Sequence, residues 1–258
     1  MQLVPTHIGG AAERYRLLRK LESMAPLTAE ERQAVLDLPM VVRCYTRGQD
    51  MRRDGDRPQE CCLLLEGFTN QHKLLPDGRR QITAFHVPGD MPDLQSLYVP
   101  TMDHAMAAMM PTRAAFIPHR SLRNLLDRYP GLLHAFWRGT LIDAAIARTW
   151  ITGLGQRSAL ERMAHLICEM LLRFEAVGLT WGRSFRLPVV QVELGDTLGL
   201  STVHVNRVLQ DMRRSGLLTW TGRLVTVLAW KELQAAGRFD AAYLCQDHAN
   251  PDEPRRAA

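Results

Sequence analysis

The segment from Gln191 to Leu218 contains two short helical patterns that meet at a turn centred on Gly199. Two closely crossing helices need a small residue at their contact and a glycine that can adopt a positive φ at the turn. They also need apolar residues that fix the second helix against the first. Gly195 and Gly199 meet the first two needs, and Val205 with Val208 meets the third. The segment therefore predicts a helix-turn-helix.

Ser201 is predicted to cap the second helix, because a serine hydroxyl can accept a hydrogen bond from a free backbone N–H of the first turn. Helical spacing directs four apolar residues inward and leaves mainly polar residues outward near the start. The inward set is Val205, Val208, Leu209 and Met212, and the outward set is Thr202, Val203, Asn206, Arg207 and Gln210.

The outward set suits the major groove of DNA. Arg207 can donate two hydrogen bonds to guanine, and Asn206 can pair with adenine. Val203, or the methyl group of Thr202, can contact the methyl group of thymine. The second helix is therefore predicted to read a DNA sequence.

Two alternating runs around the tip Thr221-Gly222-Arg223 predict a β-hairpin wing after this helix. Arg223 at the tip can meet a phosphate, whereas Arg213 and Arg214 either do likewise or are simply solvated. A small helical domain that binds protein rather than DNA is the alternative for the whole unit.

The chain before this unit changes its pattern twice. Residues 1–39 predict helices, with Tyr15, Leu18 and Leu21 at apolar spacing and a capping box from Thr28 to Glu31. Residues 40–118 contain short apolar runs between turn signals, which predict a β-roll or barrel with one hairpin tip at Asp77-Gly78.

Helical spacing returns in residues 119–155, where Pro130 is predicted to separate a short helix from a long one. Gly153 and Gly155 predict a hinge, and residues 156–258 then hold an amphipathic helix from Ser158 to Glu175, the helix-turn-helix and a C-terminal tail. The predicted class is α+β, with four parts at 1–39, 40–118, 119–155 and 156–258.

One stripe of the long helix follows 4-3-4-3 spacing, which is typical of a helix packed against a partner helix. It is either a dimer seam or a face that packs on the chain's own β-roll. Its members are Trp137, Leu141, Ala144, Arg148 and Ile151.

Composition excludes several classes. With 46% hydrophobic residues and no apolar run of about 18 residues, the chain is predicted to be globular, cytoplasmic and free of membrane spans. Its formal net charge of +5 permits nucleic acid without requiring it. No cysteine spacing suits a structural zinc, so no metal or cofactor is predicted. Cys61 and Cys62 are either plain thiols or an adjacent pair that senses oxidants.

A β-rich unit, a long helix and a winged helix containing ELGDTLGLSTVHVNRVLQDMRRSGLL together resemble the Crp/Fnr superfamily of bacterial transcription regulators. The resemblance covers about residues 25 to 235 and is also marked in RSALERMAHLICEMLLRF. It implies a homodimer paired through its long helices, a jelly-roll sensor domain, a palindromic double-stranded DNA site and RNA polymerase as a protein partner.

The resemblance places the base-reading positions on Thr202, Val203 and Arg207, with Ser201 and His204 near phosphates. Val203 stands where the family often has a glutamate, and a valine cannot accept a hydrogen bond from cytosine. His204 is equally well explained as an ordinary residue of the helix surface.

In cyclic-nucleotide-binding relatives, a Gly-Glu pair holds the ribose and an Arg ten residues later pairs with the phosphate. Here Gly89 and Asp90 begin a shortened segment in which Asp93 can stand for the glutamate, but Asp103 and His104 occupy the phosphate positions. A carboxylate there repels a phosphate, so the sequence predicts a degenerate pocket that disfavours cyclic AMP.

A displaced phosphate ligand, such as Arg113, would restore binding of a cyclic nucleotide. The pocket is otherwise left with an unknown small-molecule effector or with none. An iron–sulfur cluster is excluded because the first cysteine is Cys44, and haem has only isolated candidate ligands. These candidates are His72, His86, His104 and Cys61.

No catalytic motif supports an enzyme. Two other functions stay open beside a DNA-binding regulator with a degenerate pocket. The chain can be a ligand-sensing subunit that acts on a protein partner, or a regulator that truly responds to cyclic nucleotides.

Overall fold

The computed structural model describes residues 6–8 and 11–245. It has an N-terminal β-roll, a long central helix and a C-terminal winged helix-turn-helix, so the predicted fold class is confirmed. Within these residues no helix is both long and apolar enough to cross a membrane. The predicted C-terminal tail extends beyond the described residues, since residues 246–258 lie outside them.

Two helices follow the first strand of the roll, namely α1 (Ala11–Glu22) and α2 (Ala29–Leu36). Thr28 and Glu31 form the predicted capping box at the start of α2. Leu18 and Leu21 are buried as the spacing predicts, but the prediction for Tyr15 is wrong, because its side chain is 51% exposed.

The roll consists of two antiparallel four-stranded sheets, with strand orders β1-β2-β8-β4 and β3-β7-β5-β6. A β-hairpin joins β5 to β6 at the predicted tip, where Gly78 has a φ of +84°. The strands are β1 (Thr6–Ile8), β2 (Val41–Tyr45), β3 (Asp50–Arg52), β4 (Glu60–Glu66), β5 (Thr69–Leu74), β6 (Arg80–His86), β7 (Ala105–Ala108) and β8 (Thr112–Pro118).

Strand β4 is buried on both faces. Alternate residues of a strand point to opposite sides, so Cys61 packs with the apolar residues of α1 and Cys62 packs with Phe116 inside the roll. The roll is therefore enclosed both by its second sheet and by helices.

Two helices follow the roll, α3 (His119–Arg128) and α4 (Pro130–Gln156). Pro130 occupies the first turn of α4, where its missing N–H has no helical partner to lose. The predicted hinge at Gly153 and Gly155 is wrong, because α4 stays helical through both glycines. The chain becomes extended at Arg157, before Ser158 caps α5 (Ala159–Ala176).

The C-terminal unit combines the helix-turn-helix with a four-stranded sheet of order β11-β12-β10-β9. A short 3₁₀ turn, Ala241–Leu244, follows the last helix. The elements are β9 (Thr180–Trp181), β10 (Ser184–Arg186), α6 (Gln191–Leu198), α7 (Thr202–Arg214), β11 (Leu218–Thr221), β12 (Leu224–Val227) and α8 (Trp230–Gly237).

A row of aromatic rings joins the core of the roll to the core of the C-terminal unit. Phe68 in the roll lies 5.1 Å from Phe85 and 5.6 Å from Phe174 of α5, measured between ring centroids. Phe174 in turn lies 5.4 Å from Phe185 of β10. The two units consequently share one continuous apolar cluster.

Candidate nucleic-acid interface and sensor residues

The turn between α6 and α7 has the geometry that a helix-turn-helix requires. Gly199 ends α6 in the left-handed conformation, with φ 63° and ψ 42°. A Cβ added to Gly195 would lie 2.5 Å from the carbonyl oxygen of Leu200, which is too close for any side chain. Both glycines are therefore needed, as the sequence predicts.

The N-terminus of α7 is capped by Ser201, whose hydroxyl accepts a hydrogen bond from the backbone N–H of His204 at 3.3 Å. The predicted inward face is confirmed, since all four of its members are buried, namely Val205, Val208, Leu209 and Met212.

The opening turn of α7 faces solvent. Val203 is 75% exposed, and Thr202 and Arg207 are also exposed, while Asn206 and His204 are half-buried. Among the described residues, the guanidinium group of Arg207 has no hydrogen-bond or ion-pair partner. A donor of this kind on an exposed helix is free to bond base edges or phosphates.

The predicted wing is the β11–β12 hairpin, and Gly222 at its tip has a φ of +60°. The side chain of Arg223 is exposed beside it. Arg213 is not free for phosphate, because it donates a 2.7 Å hydrogen bond to the carbonyl oxygen of Trp220 and so ties α7 to the wing. Arg214 forms a 3.4 Å ion pair with Asp211.

The first helix of the motif is docked on the roll by two ion pairs. Arg80 of β6 lies 2.8 Å from Asp196, and Arg47 lies 2.8 Å from Glu193, both distances being between nitrogen and carboxylate oxygen. Sequence reasoning missed these contacts, since no local pattern links residues that are more than 100 positions apart. They position α7 indirectly, through α6.

The predicted stripe on α4 is largely solvent-facing in the single chain. Trp137 is 60% exposed, Leu141 49% and Ile151 68%. Ala144 is half-buried and Arg148 is exposed. The opposite face of α4 instead carries the buried Ile142 and Ile146, which pack against the chain's own core.

Asp93 lies inside the roll with both carboxylate oxygens engaged. One accepts a 2.5 Å hydrogen bond from the backbone N–H of Cys62, and the other accepts one from Nε of Arg52 at 2.9 Å. Arg52 also packs over the ring of Phe116. The residue predicted to hold a ribose thus belongs to an internal ion pair.

Gly89 and Asp90 lie elsewhere, in the wall of a cavity beside α1 that does not include Asp93. Asp90 is buried and accepts hydrogen bonds from Lys20 at 2.8 Å and from Arg173 at 3.0 Å. Although burial opposes its ionisation, Lys20, His86 and Arg173 hold the pKa of Asp90 well below its usual range.

Asp103 and His104 form a third environment. The Asp103 side chain is 81% exposed and accepts a 2.7 Å hydrogen bond from Nδ1 of His104, which lowers the pKa of Asp103. Arg113, considered as a displaced phosphate ligand, is already paired with Glu13 and Glu66. The sequence analysis assigned these residues to one pocket. In the structure they lie in three separate places.

The adjacent thiols Cys61 and Cys62 are buried on opposite faces of β4. Burial raises the pKa of Cys61 to about 12 and that of Cys62 well above its usual value. Neither thiol is therefore a reactive thiolate at neutral pH. Among the described residues, no group of three or more His, Cys, Asp or Glu side chains is arranged to hold a metal ion.

Comparison with known proteins gives a match to each half of the chain. The family model of the Crp-like helix-turn-helix domain matches residues 161–236, and that of the cyclic nucleotide-binding domain matches residues 42–129.

Two similar relatives are the regulatory protein HlyX of Actinobacillus pleuropneumoniae and the transcriptional activator protein anr of Pseudomonas aeruginosa. The chain is 26% identical to HlyX over 72% of this chain and 78% of HlyX, and 26% identical to anr over 83% of this chain and 89% of anr. The structure of FixK2 from Bradyrhizobium japonicum is similar with a TM-score of 0.68 and 26% identity, over 76% of this chain and 96% of FixK2.

Proposed function

Because the chain belongs to the Crp/Fnr superfamily of transcription regulators, which bind DNA through their helix-turn-helix, we propose that it acts as a homodimer on a palindromic operator. The observation that carries this proposal is the exposed opening turn of α7, where Arg207 has no partner among the residues that the structure describes. RNA polymerase is the protein partner that this family membership leads us to expect.

Each side chain of the α7 surface has a proposed role. Arg207 donates to O6 and N7 of guanine, Asn206 bonds adenine, and Thr202 and Val203 contact bases in the major groove, where Val203 favours a thymine methyl. Three further residues are placed to contact the DNA backbone, with Arg223 reaching a phosphate from the wing. These three are Ser201, His204 and Arg223.

Dimerisation is proposed to occur through the outward stripe of α4. Its exposed Trp137, Leu141 and Ile151 form an apolar row that water contacts in the single chain, and Ala144 allows close approach of a second helix. Arg148, also exposed in the single chain, lies between Ala144 and Ile151 in the same stripe. A two-fold axis along this row would present two α7 helices to half-sites about one DNA turn apart.

The four-part division at residues 1–39, 40–118, 119–155 and 156–258 is retained as a proposal. The sensor segment is proposed to have lost the family's cyclic-nucleotide site. Support comes from Asp93, whose carboxylate is satisfied by Arg52 and Cys62, and from Asp103, which would repel a phosphate. The five residues that this segment was expected to use are Gly89, Asp90, Asp93, Asp103 and His104.

The experiment is a binding-site selection on random double-stranded DNA with the full chain, with and without cyclic AMP. We expect a two-fold-symmetric sequence to be enriched equally in both conditions. Enrichment that requires cyclic AMP would mean that the sensor still takes the nucleotide, and no enrichment of any symmetric sequence would refute DNA reading.

Arg207→Ala tests the proposed role of α7 on the selected sequence. It should weaken specific binding roughly 10- to 100-fold, which corresponds to about 1–3 kcal/mol, and relax selection at one base pair. The matched control is Arg57→Ala, which removes an exposed arginine of the roll. If the Arg57 variant lost as much affinity as the Arg207 variant, base reading by Arg207 would be excluded.

A further inference from the structure

A cavity of about 690 Å³ lies between α1, the loop that follows β6, α4 and the C-terminal end of α5. Pockets of roughly 300–1,000 Å³ are typical of small-molecule sites. This cavity is separate from the interior of the roll, because its wall contains Asp90 but neither Asp93 nor Arg52. The cavity therefore shares Gly89 and Asp90 with the segment expected to hold a cyclic nucleotide, but it does not include Asp93.

The cavity wall carries positive charge that the protein does not use. Arg16 and Arg19 line it from α1, and their guanidinium groups make no hydrogen bond or ion pair with any residue that the structure describes. The other two lining cations, Lys20 and Arg173, are both held by Asp90. Free guanidinium groups beside a cavity favour an anionic occupant.

The carboxyl of Asp143 also lines the cavity. Desolvation and the neighbouring Asp90 raise the pKa of Asp143.

Glu22, which forms a 2.7 Å ion pair with Arg32, and Ser23 also line the cavity, and much of the rest of its wall is apolar. Ile142 and Ile146 of α4 line the cavity on one side, and Met24 and Val177 contribute on others. The unexpected exposure of Tyr15 has its explanation here, since its ring lies in the same wall. An occupant that covered this wall would remove apolar surface from water.

We propose that this cavity binds an amphipathic anion, meaning a small molecule with an aromatic or aliphatic body and one carboxylate, sulfonate or phosphate group. Arg16 and Arg19 hold the anionic group, and Tyr15 and Ile146 contact the body.

The occupant lies against a buried network of polar contacts that joins the roll, α4, α5 and the 3₁₀ turn at Ala241–Leu244. Arg173 donates to the carbonyl oxygen of Phe85 at 2.7 Å and to Glu169 at 3.2 Å. Glu169 also accepts hydrogen bonds from Trp150 of α4 and from Tyr243. This inference rests on the proposed function. The anion regulates the orientation of α6 and α7 because it binds one orientation better than another.

The test uses two dyes with the same aromatic body. The sulfonate 8-anilinonaphthalene-1-sulfonate is the anionic probe, and N-phenyl-1-naphthylamine is its uncharged counterpart. Both are titrated by fluorescence into the full chain and into Arg16→Gln/Arg19→Gln. We expect the double variant to bind the sulfonate about tenfold more weakly and the uncharged dye within about twofold.

Two further variants make the result decisive. Arg57→Gln/Arg120→Gln removes two exposed arginines elsewhere and should leave both affinities unchanged. Ala176→Trp fills the cavity from the exposed end of α5 and should weaken both dyes, even if the arginine variant failed to fold. Unchanged sulfonate binding in the folded arginine variant, or in Ala176→Trp, would overturn the site.

Hydrogen–deuterium exchange with and without the sulfonate tests the regulatory part in the absence of DNA. We expect slower exchange in residues 15–24 and 142–146, together with altered exchange in residues 191–214. Protection at the cavity with no change in 191–214 would refute regulation and leave the site in place. Because no DNA is used, a failure here is distinct from a failure of the proposed function.

Discussion

Arg80 and Asp196 are 116 residues apart in the sequence, yet the Arg80 guanidinium lies 2.8 Å from the Asp196 carboxylate. The ion pair fixes α6 to strand β6, and a side-chain hydrogen bond from the neighbouring Gln81 to the carbonyl oxygen of Thr197 supports it at 3.2 Å. The orientation of the helix-turn-helix is thus set partly by the roll.

Asp196→Asn should loosen this docking and speed amide exchange in α6. The free energy of unfolding should fall by no more than about 1 kcal/mol, since both side chains keep some contact with water. Arg80→Asp/Asp196→Arg should restore slow exchange. The control is Arg79→Asp, because the exposed Arg79 pairs, within the part of the chain that the structure describes, only with Asp77 of its own turn. Faster α6 exchange in that variant would show that general charge, not the pair, is responsible.

Trp137→Glu should dissociate the proposed dimer, because it replaces the largest apolar side chain of the α4 stripe with a charge. We expect the dissociation constant to rise at least about tenfold, as measured by sedimentation equilibrium. Trp181→Glu changes a tryptophan of similar exposure outside the stripe and should not affect assembly. Equal monomer fractions in the two variants would place the interface elsewhere.

Gly195→Ala should destabilise the C-terminal unit by about 1–3 kcal/mol, since the added methyl group would lie 2.5 Å from the carbonyl oxygen of Leu200. Gly139→Ala is the matched control in helix α4, where the new methyl group meets nothing within 4 Å. It should be neutral or stabilising by up to about 1 kcal/mol. Chemical denaturation measures both, and equal changes would contradict the close approach of the two helices.

His165 should make stability depend on pH. Burial, with a further contribution from Arg157, lowers the pKa of His165 to about 4, while Gly237 accepts a hydrogen bond from its ring and Tyr243 contacts the other nitrogen. The folded state therefore resists a proton that the unfolded state accepts below pH 6.5.

The contribution of neutral His165 to the free energy of unfolding is present above pH 6.5 and is lost as the pH falls towards 4. The loss amounts to about 2 kcal/mol between pH 7 and 5. The comparison is with His165→Gln, whose unfolding free energy should fall less over the same interval. Parallel pH profiles for the two proteins would exclude His165 as the titrating group.

Thiol labelling should distinguish the cysteines by burial. Cys245 is exposed and should react first with a disulfide reagent at pH 7.5, whereas Cys61, Cys62 and Cys168 should react only on unfolding, because burial raises the pKa of each. Cys245→Ser should remove the fast phase. Detection of a Cys61–Cys62 disulfide by mass spectrometry after mild peroxide treatment would reverse this conclusion and restore an oxidant sensor.

The helix-turn-helix and wing were predictable because their determinants are local. Gly195, Gly199 and the Ser201 cap act within a few residues of their own positions, so spacing alone reveals them. The same reasoning located the break at Pro130 and the hairpin tip at Asp77-Gly78. Local hydrogen bonding and backbone conformation dominate each of these features.

Other features of the fold and of the candidate site depend on tertiary contacts, which residue spacing in the sequence does not reveal. Asp93 was read by analogy as a ligand-binding group, but its partner Arg52 comes from strand β3, 41 residues away. Tyr15 fitted an apolar spacing and instead faces a cavity. Two glycines suggested a hinge at 153–155, although the neighbouring helical turns kept them in α4. Tertiary packing decided each of these points.

The row of rings from Phe68 through Phe174 to Phe185 also limits how this protein can be dissected or recombined. A recombinant fragment starting near residue 158 would expose Phe174 to water, because its partner Phe68 on the roll would be absent. Grafting the DNA reader onto another regulator's sensor would require transplanting the matching aromatic surface as well.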